Sequence, residues 1–130
     1  MENLGLELKS LYTAAVAARE RAYAPYSKFK VGAAVMAVDG SIYQGCNVEN
    51  ASYGLTCCAE RNAIFTAVGQ GHTDLEAICI VAATEGPVSP CGACRQVMAE
   101  FKIKRIIMAN MEGAMELVTL EELLPGQFSL

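Results

Sequence analysis

The sequence predicts an α/β protein in which one sheet is covered by helices, with elements in the order α-β-β-α-β-α-β-β. Three features carry that reading. Stretches of helical periodicity alternate with short apolar runs bounded by turn residues. The run Ala77-Ile78-Cys79-Ile80-Val81-Ala82-Ala83 is apolar without interruption, as expected of a strand buried on both faces. The connection from Asn110 to Met115 is too short for a parallel crossover, so the last two strands pair antiparallel.

Leu4, Leu8, Leu11 and Ala15 recur at helical spacing and predict an amphipathic first helix over about residues 2–21, interrupted by Ala24-Pro25-Tyr26-Ser27. Phe29 to Val38 reads as a strand, Asp39-Gly40 as a tight hairpin turn, and Ser41 to Cys46 as the antiparallel partner. The polar, Gly-containing stretch from Asn47 to Thr56 reads as loop. Good helix formers run from Cys58 to about Gln70 and end at Gly69 and Gly71. A loop with Pro87 and Pro90 follows the buried strand, then a helix from about Cys91 to Phe101. Arg105 to Ala109 is a further apolar strand, Glu116 to Val118 the last, and Leu120 to Leu124 a helical turn stopped by Pro125-Gly126. With no repeat, low-complexity run or linker, the 130 residues read as one domain.

Apolar residues make up 53 % of the chain and charged residues 18 %, more buried surface than a small monomer readily hides, which points to an oligomer. Fourteen acidic residues against ten basic give a net charge of −4, which argues against a protein that grips a nucleic-acid polymer. No apolar run approaches a membrane span, and the N-terminus lacks the basic-then-apolar order of a signal peptide. The expected location is the cytoplasm. In that compartment the six cysteines are thiols, and Cys57-Cys58 and Cys91/Cys94 form two clusters that suggest a metal site over a disulfide framework.

Both clusters fall at helix starts, as Thr56-Cys57-Cys58-Ala59-Glu60-Arg61 and Pro90-Cys91-Gly92-Ala93-Cys94-Arg95. Two thiolates two residues apart at a helix N-terminus can hold one tetrahedral Zn²⁺, and the helix dipole favours the thiolate form. With Cys58 as third ligand beside Cys91 and Cys94, one position stays open for water, which marks a catalytic rather than a structural zinc. Glu60, two residues beyond Cys58, sits in the same turn without being forced onto the metal, placed to move protons between that water and a leaving nitrogen. This arrangement is a signature of the zinc deaminases. Three thiolates on Zn²⁺ leave a charge of −1, and Arg61 is the expected compensating cation, with Arg95 second.

At this point the chain resembles the small homotetrameric cytidine deaminases. The resemblance is carried by Cys-Ala-Glu-Arg at 58–61, Pro-Cys-Gly-Ala-Cys-Arg-Gln at 90–96 and Asn-Val-Glu-Asn-Ala-Ser-Tyr at 47–53. Ala-Pro-Tyr-Ser-Lys-Phe at 24–29, Val-Gly-Ala-Ala at 31–34 and Leu-Leu-Pro-Gly at 123–126 extend it almost to the C-terminus. It implies a three-layer α/β/α fold with a mixed five-stranded sheet whose last two strands are antiparallel. It also implies one zinc per subunit and hydrolysis of cytidine and 2′-deoxycytidine to uridine and 2′-deoxyuridine in pyrimidine salvage. In that chemistry a zinc-bound hydroxide attacks C4, while Glu60 shuttles protons and contacts the ring nitrogen. Asn47 and Glu49 are implied to hydrogen-bond the sugar 3′-hydroxyl, with Val48 available through its backbone and Phe29 packed against the nucleoside. An aromatic just after Leu-Leu-Pro-Gly, here Phe128, is implied to reach a neighbouring subunit's pocket in a homotetramer.

Other readings of the same residues are blander. Cys91 and Cys94 alone would suit a dithiol redox pair, but that leaves Cys58 and Glu60 without a role. A structural zinc needs a fourth protein ligand, and Cys57 is geometrically awkward beside Cys58. Cys46 and Cys79 read as small packing residues, and His72 as a solvated loop residue. Asn47 and Glu49 could serve only a turn, Phe29 only the core, and Arg95 only a helix surface. The rival functions are a same-fold deaminase of another aminopyrimidine nucleoside, such as a blasticidin-type antibiotic, and a non-catalytic zinc-binding module.

Overall fold

The computed structural model describes residues 2–130; Met1 lies outside it, as do the side chains of residues 2–4, Leu4 among them. The elements are α1 (Glu2–Arg19), β1 (Val31–Ala37), β2 (Ile42–Cys46), α2 (Ala59–Gly69), β3 (Leu75–Ala82), α3 (Gly92–Glu100), β4 (Arg105–Asn110), β5 (Met115–Val118) and α4 (Leu120–Leu123). Every expected element is present, with ends moved by a residue or two. Phe29 precedes β1 rather than opening it: its N–H donates to Ser27 Oγ and its carbonyl accepts from the Asn47 side chain, not from a neighbouring strand. A 3₁₀ turn at Tyr53–Leu55 interrupts the stretch expected to be plain loop.

The sheet order is β2-β1-β3-β4-β5. β1 pairs antiparallel with both β2 and β3, and β3 runs parallel to β4, the crossover being supplied by α3. β4 and β5 pair antiparallel from Ile106↔Val118 to Ala109↔Met115, as the short connection between them requires. The sheet is therefore mixed.

Alternate strand residues feed two cores. On one face Leu11 and Ala15 of α1 meet Ala34, Met36, Cys79 and Ile107. On the other, Ala63 and Ile64 of α2 and Met98 of α3 meet Val35, Ile78, Ile80 and Ile106. Two glycines set how closely the helices approach. A Cβ on Gly32 would lie 2.1 Å from the Ala15 carbonyl oxygen, and one on Gly45 would lie 2.3 Å from the Ala63 nitrogen. The three-layer α/β/α arrangement follows. Because β1 and β3 are antiparallel, the start of β1 lies beside the end of β3, with Val31 opposite Ala82. Residues from the N-termini of α2 and α3 converge on that same edge of the sheet.

Candidate active site

Two helix starts deliver three sulfurs to this edge. Cys58 is the N-cap of α2 and Cys91 the N-cap of α3, while Cys94 lies in the first turn of α3. The three Sγ atoms lie within 4.8 Å of one another, with Cys58 to Cys91 at 3.7 Å and Cys91 to Cys94 at 3.4 Å. Two thiolates each 2.3 Å from a tetrahedral zinc stand ~3.8 Å apart, so the donor set fits that ion in type and spacing. Among the described residues no other group of His, Cys, Asp and Glu is gathered in this way.

Sulfur hydrogen bonding divides the thiols. A bond from Cys94, then one from the Arg61 guanidinium, hold Cys58 down at about 5 against its burial; the same Cys58–Cys94 bond, together with burial, pushes Cys94 up. Cys57 stays outside the cluster, its thiol pushed up by burial. Cys79 is a core thiol, raised to about 12 by burial alone.

Glu60 is buried in the first turn of α2, only 4 % exposed, and burial pushes its carboxyl up to about 7. Such a group can both take and give a proton near neutral pH. Arg61 Nη2 donates to Cys58 Sγ at 3.3 Å. Arg95 does not reach a sulfur; its guanidinium turns to the Ser89–Pro90 loop and the end of α4.

A cavity of about 260 Å³ opens beside the thiols, lined by Cys58, Glu60, Cys91, Asn47, Glu49 and Phe29 among others. It continues into an outer space of about 420 Å³ between Tyr26, Glu49 and Tyr53. Asn47 and Glu49 also build the cavity wall. Asn47 Oδ1 accepts from Val31 N (2.9 Å) and its Nδ2 donates to the Phe29 carbonyl (2.8 Å). Glu49 Oε1 accepts from the backbone of Tyr26 (2.9 Å) and Ser27 (3.2 Å), and Oε2 accepts from the Ser27 hydroxyl. The Ser27 bond, before the others, holds the Glu49 carboxyl below the usual carboxylate range. The loop that presents Phe29 is thus tied down by the segment 47–49. Between Asn47 and Glu49, Val48 N–H donates to Cys57 O and its carbonyl accepts from Cys57 N, both at 3.0 Å. Its side chain, 45 % exposed, lies outside the cavity lining.

A family model for the zinc-binding region of cytidine and deoxycytidylate deaminases matches residues 7–110, which include all three thiols and Glu60. The chain belongs to the cytidine and deoxycytidylate deaminase family. Among relatives of this deaminase, one from Sporosarcina psychrophila named cytidine deaminase is 52 % identical over 126 residues, covering 95 % of this chain and 93 % of that one. A crystal structure of a cytidine deaminase from Burkholderia pseudomallei superposes with a TM-score of 0.88 at 50 % identity, over 92 % of this chain and 98 % of the other. More distant is a blasticidin-S deaminase from Bacillus cereus, 31 % identical over 79 % of each chain.

Sequence reasoning missed several residues of the deaminase cavity. Ser27 and Thr56 line both its inner and outer parts, and Ile80, Val88 and Ser89 line the inner one. Only Ser27 left a signal, as a hydroxyl within the Ala24–Phe29 motif; the others depend on which loops the sheet brings together. Phe128 lies 69 % exposed on this chain, its carbonyl held by Gln96 Nε2 at 3.2 Å.

Proposed function

We propose that the protein hydrolyses cytidine and 2′-deoxycytidine to uridine and 2′-deoxyuridine with release of ammonia, in pyrimidine salvage. The observation that carries this is a buried, proton-competent Glu60 in the same cavity as Cys58 and Cys91, two of the three clustered zinc-type sulfurs. Cys58, Cys91 and Cys94 would hold the ion. Zinc, when bound, supplies the Lewis acidity that makes water a nucleophile near neutral pH. Glu60 takes a proton from the water that adds at C4 and delivers it to the pyrimidine N3. It then passes the second proton of that water to the exocyclic nitrogen, which leaves as ammonia. Arg61 draws charge from Cys58 through its hydrogen bond, and Phe29 supplies an apolar wall for the nucleoside.

Recognition of the sugar falls to Asn47 and Glu49. Glu49 Oε1 is filled by two N–H groups and Oε2 already takes the Ser27 hydroxyl, which leaves Oε2 room for a single further donor. One hydroxyl, the 3′, is the expected partner, so loss of the 2′-hydroxyl is tolerated. Asn47→Ala and Glu49→Ala lower kcat/KM for cytidine by about 10–100-fold, the cost of a charge-assisted contact and a loosened loop. An ultraviolet assay tests function and specificity together: cytidine and 2′-deoxycytidine turn over rapidly, while free cytosine and 3′-deoxycytidine are poor substrates. Equal rates with cytosine and cytidine would refute sugar recognition, and inactivity on cytidine would refute the function.

The proposed assembly is a homotetramer in which Phe128 completes a neighbouring site. Tyr53, Leu55 and Phe128 are 77 %, 70 % and 69 % exposed on one chain, and Tyr53 borders the outer cavity, where a second copy would exclude water. Sedimentation at micromolar protein yields four chains, and Phe128→Ala raises KM about fivefold, a lost contact of ~1 kcal/mol. A fully active monomer would sink the tetramer, and unchanged kinetics would remove Phe128 from the site. Among the described residues no helix is long and apolar enough to cross a membrane, and all six cysteines are free thiols. Both features suit the proposed cytoplasmic location.

A further inference from the structure

Of the three proposed zinc ligands, Cys91 is the most exposed. Cys94 is buried within α3, and Cys58, an N-cap like Cys91, follows Cys57, whose backbone is bridged to Val48. Cys91 is exposed and closes a stretch from Ala83 to Cys91 that has no regular structure. One side chain gathers the end of that stretch. Arg95 Nε donates to the Pro90 carbonyl at 2.9 Å, Nη2 to Ser89 Oγ at 2.8 Å, and Nη1 to the Leu123 carbonyl at 2.7 Å. Its own backbone N–H holds the Cys91 carbonyl at 3.0 Å.

We propose that Arg95 is a positioning residue for the metal: its guanidinium fork locks Ser89 and Pro90, and through them Cys91, against the end of α4. The three contacts diverge from one rigid plane, which a lysine ammonium cannot reproduce although it keeps the charge. The same fork orients Ser89, a residue of the cavity wall, and ties it to the segment that leads towards Phe128. Loss of such an outer partner typically costs 10–100-fold in metal affinity.

The inference rests on Cys58, Cys91 and Cys94 holding zinc, so zinc binding by the unaltered chain is measured first, and its absence would strike that assignment itself. Release of zinc from the loaded protein to a chromogenic chelator is then timed for Arg95→Lys. We expect release about tenfold faster or more. Ile107→Ala, which opens a cavity on the opposite face under α1, serves as the control that lowers Tm without speeding release. Release from Arg95→Lys within about twofold of the unaltered rate overturns the proposal, as does an equal acceleration in Ile107→Ala. Should Arg95→Lys not fold, Ser89→Ala removes one contact alone; about threefold faster release supports the lock, and an unchanged rate overturns it.

Discussion

Glu60→Gln lowers kcat by about 10⁴-fold while zinc content and fold survive. The size follows from the double duty assigned to the carboxylate, which accepts a proton from water and then delivers protons at two nitrogens. An amide can do neither. Fold survival follows from burial. Glu60 is 4 % exposed and its carboxyl is pushed up to about 7 because charge is poorly solvated there, so a neutral amide of the same shape relieves a cost. Thermal unfolding of Glu60→Gln should therefore begin no earlier than that of the unaltered chain. Turnover is read by loss of cytidine absorbance and zinc by atomic absorption. Retention of about a tenth of the activity would end the proton-carrier role.

The parts of this site that lie close in sequence were legible in it. Cys58 and Glu60 share one helix start, Cys91 and Cys94 another, and the electrostatics of a helix N-terminus say why thiolates belong there. The fold was legible for a similar reason, since the uninterrupted apolar run of β3 and the short link before β5 each admit few alternatives. What was hidden depends on contacts distant along the chain. Nothing in the order of residues says that Asn47 and Glu49 grip the backbone 16 to 23 positions earlier. Nor does it say that Val48 spends its N–H on Cys57. Arg95 is the clearest case. From sequence it was a cation next to a thiol; in the fold its charge is directed at two carbonyls and a hydroxyl, and Arg61 alone reaches sulfur.

The same contrast between neighbouring thiols gives the second large effect: Cys58→Ser, Cys91→Ser and Cys94→Ser each abolish activity and lose most of the zinc, against about one zinc per unaltered chain. Serine keeps the size and offers an oxygen, but its hydroxyl does not ionise near neutral pH and is a poor ligand for a soft-tolerant cation. Each sulfur stands within 4.8 Å of the other two, and removing any one leaves two donors, too few to hold the ion tightly. Cys57→Ala is the discriminating companion. Cys57 adjoins Cys58 in sequence, yet its thiol is outside the cluster and burial pushes its pKa up, while Cys58 is held down at about 5 by bonds from Cys94 and Arg61. That variant should keep most of its zinc and activity. Metal content measured across the four variants separates the two residues directly. Full zinc in Cys58→Ser, or loss of zinc in Cys57→Ala equal to that in Cys58→Ser, would mean that α2 offers the metal a different sulfur from the one its N-cap presents.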